Sequence, residues 1–291
     1  MYYYIVNPAA GGGRINKIQE KLKVLLREKK IDGEFVKSIG KNDSYKIAKL
    51  AVRRGFTNIV AVGGDNTVSE VVNALIDAPN SVLGIIPIGT TNTLARVLGI
   101  LDWEKGVDIL AQRRIKTIDL GKVNDTFFIT SLEIGFETEV LKNRQNNSSL
   151  KSLLFKKEVL GKIFSFKSFE ATIEFDGKFS IDSKIFNFSV FNTRFSPKGA
   201  EFFLNDGKLT SLLVPSQSMV SLLKNFSKIA AFSYEGLPSI SRFRAKNIYI
   251  NTGKIPQKVF ADAEYIGTTP IEVSVSSKKL KVIVSKERKF D

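Results

Sequence analysis

The 291-residue sequence contains no cysteine and no histidine. The absence of cysteine excludes disulfides and thiolate metal sites, which suits a cytoplasmic protein. The absence of histidine excludes Ser-His-Asp hydrolysis, Cys-His proteolysis, the HExxH zinc site and the histidine-bearing catalytic loop of protein kinases. Any chemistry must therefore use carboxylates, lysine, arginine, hydroxyl groups and the backbone.

Long hydrophobic runs are also missing, because no stretch approaches the roughly 18 apolar residues that a membrane-spanning helix needs. The start, MYYYIVNP, has no basic region before an apolar one, so we expect a soluble, uncleaved protein. Apolar residues make up 43% of the chain, which is enough for a real core, and the length favours two domains.

A net charge of +15 at pH 7 indicates an anionic partner. Nucleic acid, anionic lipid and a phosphorylated small molecule all fit this charge. A lysine-rich solvated surface is the alternative, and charge alone does not separate these interpretations.

One stretch, NIVAVGGDNTVSEVVNAL at 58–75, contains a strand, a glycine loop and a helix. Its β-branched apolar start is typical of a strand buried in a parallel sheet. Thr67 and Glu70 have the spacing of a capping box, which predicts a helix start beside two glycines. Such an arrangement favours a bound phosphate. Asp65 would repel that phosphate unless a divalent cation or a proton transfer uses its charge.

Two further strand, loop and helix units surround this stretch. Their loops, NPAAGGGR and IGTTNT, follow Val6 and Pro87. Alternating strands and helices predict a parallel, doubly wound α/β sheet over about the first 120 residues, with ligands at the carboxyl ends of its strands. After Asp119, short strands with turns predict an antiparallel β-sandwich that helices interrupt near 136–145, 150–168 and 216–231.

The segment Lys142–Phe169 carries seven basic residues and one acidic residue, interleaved with apolar and aromatic side chains. Exposed aromatic side chains in such a basic stretch would fit a membrane surface. The alternative is that the apolar residues pack on the sheet while the lysines are simply solvated.

The glycine spacing disfavours two common nucleotide motifs. GIIPIGTT has the glycines of a P-loop but places Thr90 where its lysine must be, and NPAAGGGR lacks GxGxxG spacing. Residue types alone therefore predict only a phosphate ligand, accompanied by Mg²⁺, with plain glycine turns as the alternative.

In combination, the motifs resemble those of the diacylglycerol kinase catalytic family, which includes bacterial lipid kinases and sphingosine kinases and is related to the NAD kinases. VGGDNTVSEVVNAL is similar to its VGGDGTxxEVxNGL signature, IVNPAAGGGR to its first motif and PIGTTNTLARVLGI to its PxGTxNDxARxLGI motif. DLGKVN resembles the start of its second domain, NDGKL its DGxLD motif and DAEYIGTTPIEVSV its DGExxGxxPxxxxV ending. These motifs follow the family order along nearly the whole chain.

The resemblance implies an α/β nucleotide domain at 1–119, completed by a returning segment at about 280–291, and a β-sandwich lipid domain at 120–279, with the active site in the cleft between them. It implies transfer of the γ-phosphoryl group of ATP, with Mg²⁺, to the hydroxyl of a diacylglycerol-like or sphingoid lipid. This chemistry needs positioned phosphates, a cation and a base, and none of these requires histidine.

The resemblance also implies a lipid substrate met at a membrane surface, so we expect a cytoplasmic protein with peripheral membrane association and no nucleic-acid partner. The sequence leaves the oligomeric state open, a homodimer included, and does not name the lipid.

Carried over by motif, the resemblance assigns roles to single residues. Glu264 would be the general base, and Asp65 the acidic residue near the triphosphate and Mg²⁺. Asp206 would hold a structural metal ion, and Asp119 would lie near the active-site metal network. The nucleotide would be lined by Asn7, Gly64, Asn66, Thr67, Gly89, Thr90, Thr91 and Arg96. The alternatives are a hairpin acid at Glu264, a turn acid at Asp206, a strand end at Asp119 and a helix cap at Arg96.

Two positions depart from the family pattern. Asn66 replaces the last glycine of GGDG, and if that position needs a left-handed backbone, asparagine is the least penalised substitute. Thr93 replaces the aspartate of the third motif, and loss of that carboxylate would weaken a metal or base network. Two other functions therefore stay open: a catalytically silent relative that binds nucleotide or lipid, and an NAD kinase.

Overall fold

The structure, a computed structural model, describes residues 1–144, 153–192, 205–234, 237 and 239–287. Contacts divide these residues into two compact units. Unit 1 contains Met1–Leu120, Asn205 and Asp206, and the segment from Ser276 onward, and unit 2 contains the remaining described residues. Asn205 and Asp206, which the sequence places in the second domain, thus cluster with unit 1.

The first ten elements of the chain alternate between strand and helix, except that two helices precede the last strand. They are β1 (Tyr2–Val6), α1 (Ala10–Glu28), β2 (Gly33–Lys37), α2 (Asp43–Arg53), β3 (Asn58–Gly63), α3 (Asp65–Leu75), β4 (Val82–Pro87), α4 (Thr93–Val97), α5 (Trp103–Gln112) and β5 (Ile115–Val123). The later elements are β6 (Thr126–Phe128), β7 (Ser131–Gly135), α6 (Phe136–Arg144), α7 (Leu153–Ser165), β8 (Phe169–Phe175), β9 (Phe179–Phe191), β10 (Leu209–Pro215), α8 (Met219–Lys224), α9 (Phe226–Ala230), β11 (Ser241–Ala245), β12 (Asn247–Asn251), β13 (Lys258–Ala261), β14 (Glu264–Thr268) and β15 (Ile271–Ile283).

Unit 1 is a parallel sheet in the order β2-β1-β3-β4, and the C-terminal part of β15 adds to β4. Lys281 and Val282 of β15 pair in parallel with Val82 and Leu83 of β4. Nearly every residue of β1, β3 and β4 is buried, because helices cover the sheet. Helix α2 packs on α3, and α1 packs on α5. The predicted doubly wound α/β domain is confirmed.

The predicted capping box in α3 is wrong. The helix begins at Asp65 after Gly64, three residues earlier than the box requires, so Thr67 lies inside α3 and is buried. The Glu70 carboxylate instead accepts hydrogen bonds from the backbone N–H groups of Asn42 and Ser44, at 2.8 and 3.0 Å. Glu70 thus satisfies two unpaired donors at the start of the neighbouring helix α2.

Unit 2 is built on antiparallel strands in the order β14-β13-β7-β9-β8-β12, and the N-terminal part of β15 follows β12. One apolar core lies among these strands, and a second lies where α6, α7, α8 and α9 pack. The turn at Asp176 and Gly177, both with positive φ, joins β8 to β9 as the sequence predicts. The predicted β-sandwich domain is confirmed.

The predicted helices in unit 2 are found with shifted ends. Helix α6 ends at Arg144 and α7 at Ser165, and residues 145–152, which the predictions partly include, lie outside the described residues. The helix predicted near 216–231 is divided into α8 and α9 at Asn225, which has non-helical backbone angles.

The second core contains a polar group of side chains beneath α6. Glu133 and Glu137 are only 5% and 6% exposed, and Asn187, Ser189 and Tyr234 are buried with them. Burial raises the pKa of Glu133, against hydrogen bonds from its polar neighbours that lower it. Burial and the charges of the two glutamates raise the pKa of Tyr234. A carboxyl group in this environment keeps its proton above the pH at which the unfolded chain releases it.

This burial predicts a pH-dependent stability that Glu133 controls. Because the pKa of Glu133 is higher in the folded protein than in the unfolded chain, its contribution to the free energy of unfolding is complete below the unfolded pKa. That contribution is lost as the pH rises through the folded-state pKa. E133Q is therefore expected to gain stability relative to the wild type as the pH is raised from 5 to 8, because glutamine has no proton to lose in this buried site. Urea unfolding at both pH values measures this difference. E174Q, at an exposed position, is the control, and an equal gain in both variants would contradict the prediction.

Candidate functional site

Three loops meet at the carboxyl ends of β1, β3 and β4 in unit 1. We refer to residues 7–13, 63–66 and 88–92 as the loop cluster, which includes the non-helical glycines 11–13 at the start of α1, the last residue of β3 and the first two residues of α3. The loops of the first two strands are joined by the Asn7 side chain, whose Nδ2 donates to Thr67 Oγ1 at 3.0 Å. Asn7 Oδ1 accepts from the Ala9 N–H, and the Asn7 N–H donates to the Val62 carbonyl. Asn7 and Thr67, both predicted nucleotide residues, are thus brought together and fixed.

Glycines allow the loops to approach each other closely. A Cβ atom on Gly89 would lie 2.7 Å from Gly64 Cα and 2.8 Å from Asn92 Oδ1, so no other residue fits there without movement. At Gly11 a Cβ would lie 2.2 Å from the Ile88 carbonyl oxygen, and its φ of +60° is left-handed. The backbones of the predicted residues Gly64 and Gly89 are therefore in close contact.

Asp65 is the acidic residue of the loop cluster and is the first residue of α3. Its Oδ1 accepts the N–H of Thr93 at 2.5 Å, so the start of α3 caps the start of α4. Asn92, with a φ of +50°, turns the chain before Thr93, and its Nδ2 donates to the Gly89 carbonyl at 2.7 Å. The family aspartate at 93 would put a second carboxylate next to Asp65, and threonine avoids that repulsion.

The backbone conformation of Asn66 shows that this position does not require glycine. Asn66 is the second residue of α3 and has helical backbone angles, so this position does not need a left-handed residue. The replacement of glycine by asparagine therefore removes a flexible residue from a helix start, and the asparagine side chain is exposed. Thr90 and Thr91, in the third loop of the cluster, and Arg96, on α4, are the other predicted nucleotide residues, and they are also exposed.

In unit 2, Glu264 is half-buried at the start of β14, directly after a tight turn. The turn residues Asp262 and Ala263 have φ values of +47° and +65°, and Ala261 pairs with Glu264 across it. Backbone angles of this kind are those of the two-residue hairpin turn. The turn therefore fixes the backbone at Glu264, the first residue of β14.

Asp262 holds this turn in place, a role that the sequence did not reveal. Its carboxylate accepts the N–H groups of Ile129 and Thr130 at 2.8 Å, the Thr130 hydroxyl at 2.5 Å and the Ser131 N–H at 3.3 Å. Burial raises the pKa of Asp262, and these four donors act in the opposite direction. The only sequence signal was the spacing of Asp262 and Glu264 in DAE.

Ala263 has a backbone conformation that favours glycine, the residue of the family motif. We expect A263G to stabilise unit 2 by about 1 kcal/mol, because the left-handed cost of a Cβ exceeds the entropy cost of glycine. Urea unfolding measures the change. The reverse substitution in another hairpin, G177A at a φ of +63°, should destabilise by a similar amount. A stability loss in A263G would refute this interpretation.

The two predicted metal residues, Asp119 and Asp206, both belong to unit 1. Asp119 is 2% exposed, and its Oδ1 lies 3.0 Å from Lys279 Nζ. Lys279 also donates to Asn205 Oδ1, next to Asp206. In the described part of the chain, no three acidic side chains converge in the manner of a protein-only metal site.

Two family models match consecutive parts of the chain. The family "Diacylglycerol kinase catalytic domain" matches residues 1–123, and "YegS C-terminal NAD kinase beta sandwich-like domain" matches residues 130–284. The chain belongs to the diacylglycerol kinase family. As a member of the diacylglycerol kinase family it is a lipid-kinase type of phosphotransferase, which confirms the predicted family and enzyme class.

Curated members of the diacylglycerol kinase family are similar over most of their length. A diacylglycerol kinase from Bacillus subtilis is 29% identical over 254 residues, covering 84% of this chain and 84% of that protein. Another from Staphylococcus haemolyticus is 26% identical over 292 residues, covering 97% and 88%.

Solved structures agree on the fold. A putative diacylglycerol kinase from Bacillus anthracis superposes with a TM-score of 0.79 at 22% identity, covering 99% of this chain and 98% of that one. An NAD kinase from Archaeoglobus fulgidus in complex with ATP superposes with a TM-score of 0.55 at 13% identity, covering 99% and 95%. At these identities, both below 25%, the likeness shows the fold alone.

Proposed function

We propose that this protein transfers the γ-phosphoryl group of ATP, with Mg²⁺, to the hydroxyl of a diacylglycerol-like or sphingoid lipid. The observation that carries the proposal is the loop cluster, in which glycine backbones approach to within contact beside one carboxylate, Asp65. Glycine loops at a helix start bind phosphate, and a carboxylate there needs a cation to offset its charge. Family membership supplies the lipid as acceptor.

The residues of the loop cluster fit a nucleotide triphosphate. Asn92 Oδ1 is buried and accepts no hydrogen bond from the described residues, so after a small movement it could accept one from a hydroxyl or amino group of the nucleotide. The glycines leave backbone N–H groups accessible to phosphate oxygens. We assign Asn7, Gly64, Asn66, Thr67, Gly89, Thr90, Thr91 and Arg96 to nucleotide binding.

Asp65 fits a Mg²⁺ ion that the nucleotide brings with it. Mg²⁺ commonly binds through one or two carboxylates plus substrate phosphates and keeps several waters, so a three-acid cage is not required. When bound, the ion would neutralise charge on the phosphates during transfer. Asp65, already held by the Thr93 N–H, would keep its position without further ordering.

Glu264 is the proposed general base. It would accept the proton of the lipid hydroxyl as the oxygen attacks the phosphorus, a role that a half-buried carboxylate on a rigid hairpin can perform. The Asp262 hydrogen bonds hold that hairpin and thus position Glu264.

Incubation with γ-labelled ATP, Mg²⁺ and mixed lipid extracts tests the proposal directly. We expect label in a lipid product, and the labelled species identifies the acceptor. Failure to label any lipid would overturn it, and label in NADP with added NAD would indicate an NAD kinase. Binding of ATP without transfer to either acceptor would indicate a silent relative.

We further propose that helices α7 and α8 of unit 2 contact an anionic membrane surface. On α7, Phe155, Val159 and Ile163 are buried, as packing on the sheet predicts, whereas Leu160 and Phe164 are 36% and 60% exposed. Exposed apolar side chains also lie on α8, and exposed lysines lie on α7, namely Met219, Val220 and Leu223 with Lys156 and Lys157. Apolar side chains flanked by lysines suit an anionic bilayer surface. No helix among the described residues is long and apolar enough to span a membrane.

Removal of this apolar contact should weaken vesicle binding. F164D is expected to lower the affinity for phosphatidylglycerol vesicles by about 10- to 100-fold, because one aromatic side chain buried in the bilayer surface contributes roughly 1.5–3 kcal/mol. Co-sedimentation measures the affinity. I255D, at a turn position that is 70% exposed, is the matched control. Equal effects of both substitutions, or unchanged binding in F164D, would contradict this membrane contact.

A further inference from the structure

Asp119 is almost completely buried, and the ammonium group of Lys279 faces it. Lys279 Nζ lies 3.0 Å from Asp119 Oδ1, and the same ammonium donates to Asn205 Oδ1. The Lys279 side chain is 45% exposed, while that of Asp119 is 2% exposed. A buried carboxylate needs a compensating positive charge, and here the chain itself provides one.

The direction of the Lys279 side chain follows from the strand that carries it. Neighbouring residues of a strand point to opposite faces, so Lys278 and Lys279 diverge. Lys278 Nζ pairs with Asp77, an exposed carboxylate, whereas Lys279 reaches Asp119. The parallel pairing of Lys281 with Val82 holds β15 in the register that produces this division.

The same oxygen atoms would attract a metal ion, but the ammonium competes with it. An ammonium that contacts a carboxylate oxygen and an amide oxygen has the ligand types that a hard divalent cation prefers. A divalent ion bound to Asp119 would lie within a few ångströms of Lys279 Nζ, and like charges at that separation repel strongly. The residues at Asp119 therefore do not fit a metal ion while Lys279 keeps its position.

We propose that the ammonium group of Lys279 takes the place of a divalent metal ion at Asp119, so that Asp119 binds no divalent cation in the native protein. Lys279 is a positioning residue, since it joins β15 to Asp119 of β5 and to Asn205. Unlike a bound metal ion, its positive charge cannot be removed by a chelator. The inference deepens the proposed kinase function by restricting where its metal ion binds, but the geometry that carries it needs neither ATP nor lipid.

Titration of the full-length protein with Mn²⁺, followed by electron paramagnetic resonance in the absence of ATP and lipid, tests this. We expect D119N to bind as many Mn²⁺ ions as the wild type. K279A should bind one additional Mn²⁺ per chain, and K279A/D119N should lose it. K279Q provides the same comparison if K279A does not fold, and melting temperatures establish which variants are folded.

Two further variants separate charge from structure. K279R keeps a cation and should bind no additional Mn²⁺, whereas a purely structural role would not distinguish arginine from alanine in this measurement. K278A changes the net charge equally and should also bind none. Loss of a bound Mn²⁺ in D119N, or failure of both K279A and K279Q to gain one, would overturn the proposal. The number of bound Mn²⁺ ions is measured without ATP or lipid, so it can be determined even if the protein shows no kinase activity.

Discussion

E264Q is expected to lower the rate of lipid phosphorylation by about 10²–10⁴-fold while ATP binding stays unchanged. The glutamine keeps the size and position of Glu264 but cannot accept the proton of the lipid hydroxyl, and general bases contribute rate factors of this size. The half-buried position directly after the Asp262 turn accommodates a glutamine of the same size. Initial rates at saturating ATP and lipid measure the loss, and calorimetry measures ATP affinity.

E272Q, at an exposed position of β15, removes one carboxylate from the same unit and is the matched control. It should retain wild-type turnover. If E264Q were as active as E272Q, Glu264 would be a hairpin acid and the base would be another residue. If neither the wild type nor E264Q transferred phosphate, but both bound ATP equally, the silent relative would be the better description.

G11A is expected to lower the rate of transfer by about 10²-fold and to destabilise unit 1 by roughly 2–4 kcal/mol. The new Cβ would lie 2.2 Å from the Ile88 carbonyl oxygen, which is backbone and cannot rotate away, so the first and third loops must separate. Displacement of about 1 Å in a positioning element typically costs 10²-fold in rate. The left-handed φ adds about 1–2 kcal/mol of strain.

The neighbouring glycine isolates the steric effect. Gly12 has a φ of +69°, but a Cβ there would meet no atom within 4 Å. G12A therefore carries the backbone strain alone and should cost about 1 kcal/mol with little change in rate. Urea unfolding and initial rates measure both variants. Equal losses in G11A and G12A would show that the contact with Ile88 does not position the loops.

Much of the fold was predictable because it depends on local periodicity. The buried run before Gly63 predicted β3, and the alternation of strand, loop and helix predicted a parallel sheet with its loops at one edge. The same reasoning brought Asn7 and Gly89 to that edge, where the structure places them. Family motifs then supplied the order of the domains.

Capping and charge pairing were not predictable, because they depend on which side chains meet after folding. Thr67 and Glu70 have the spacing of a capping box, yet Thr67 contacts Asn7, 60 residues away, and Glu70 contacts the start of α2. Local spacing is a necessary condition for such bonds, but tertiary contacts compete for the same oxygen atoms.

The sequence by itself limited the residue types available for chemistry and predicted the sheet edge at which ligands bind. The absence of cysteine and histidine restricted any chemistry to carboxylates, lysine, arginine, hydroxyl groups and the backbone, and the glycine loops after three strands predicted a phosphate ligand. Only the tertiary structure decided which carboxylate does what. Asp65 caps the helix that starts at Thr93, Asp262 holds the turn before Glu264, and Asp119 lies against Lys279. The physical reason is that a carboxylate's role depends on the charges and donors around it, and residues distant in sequence supply them.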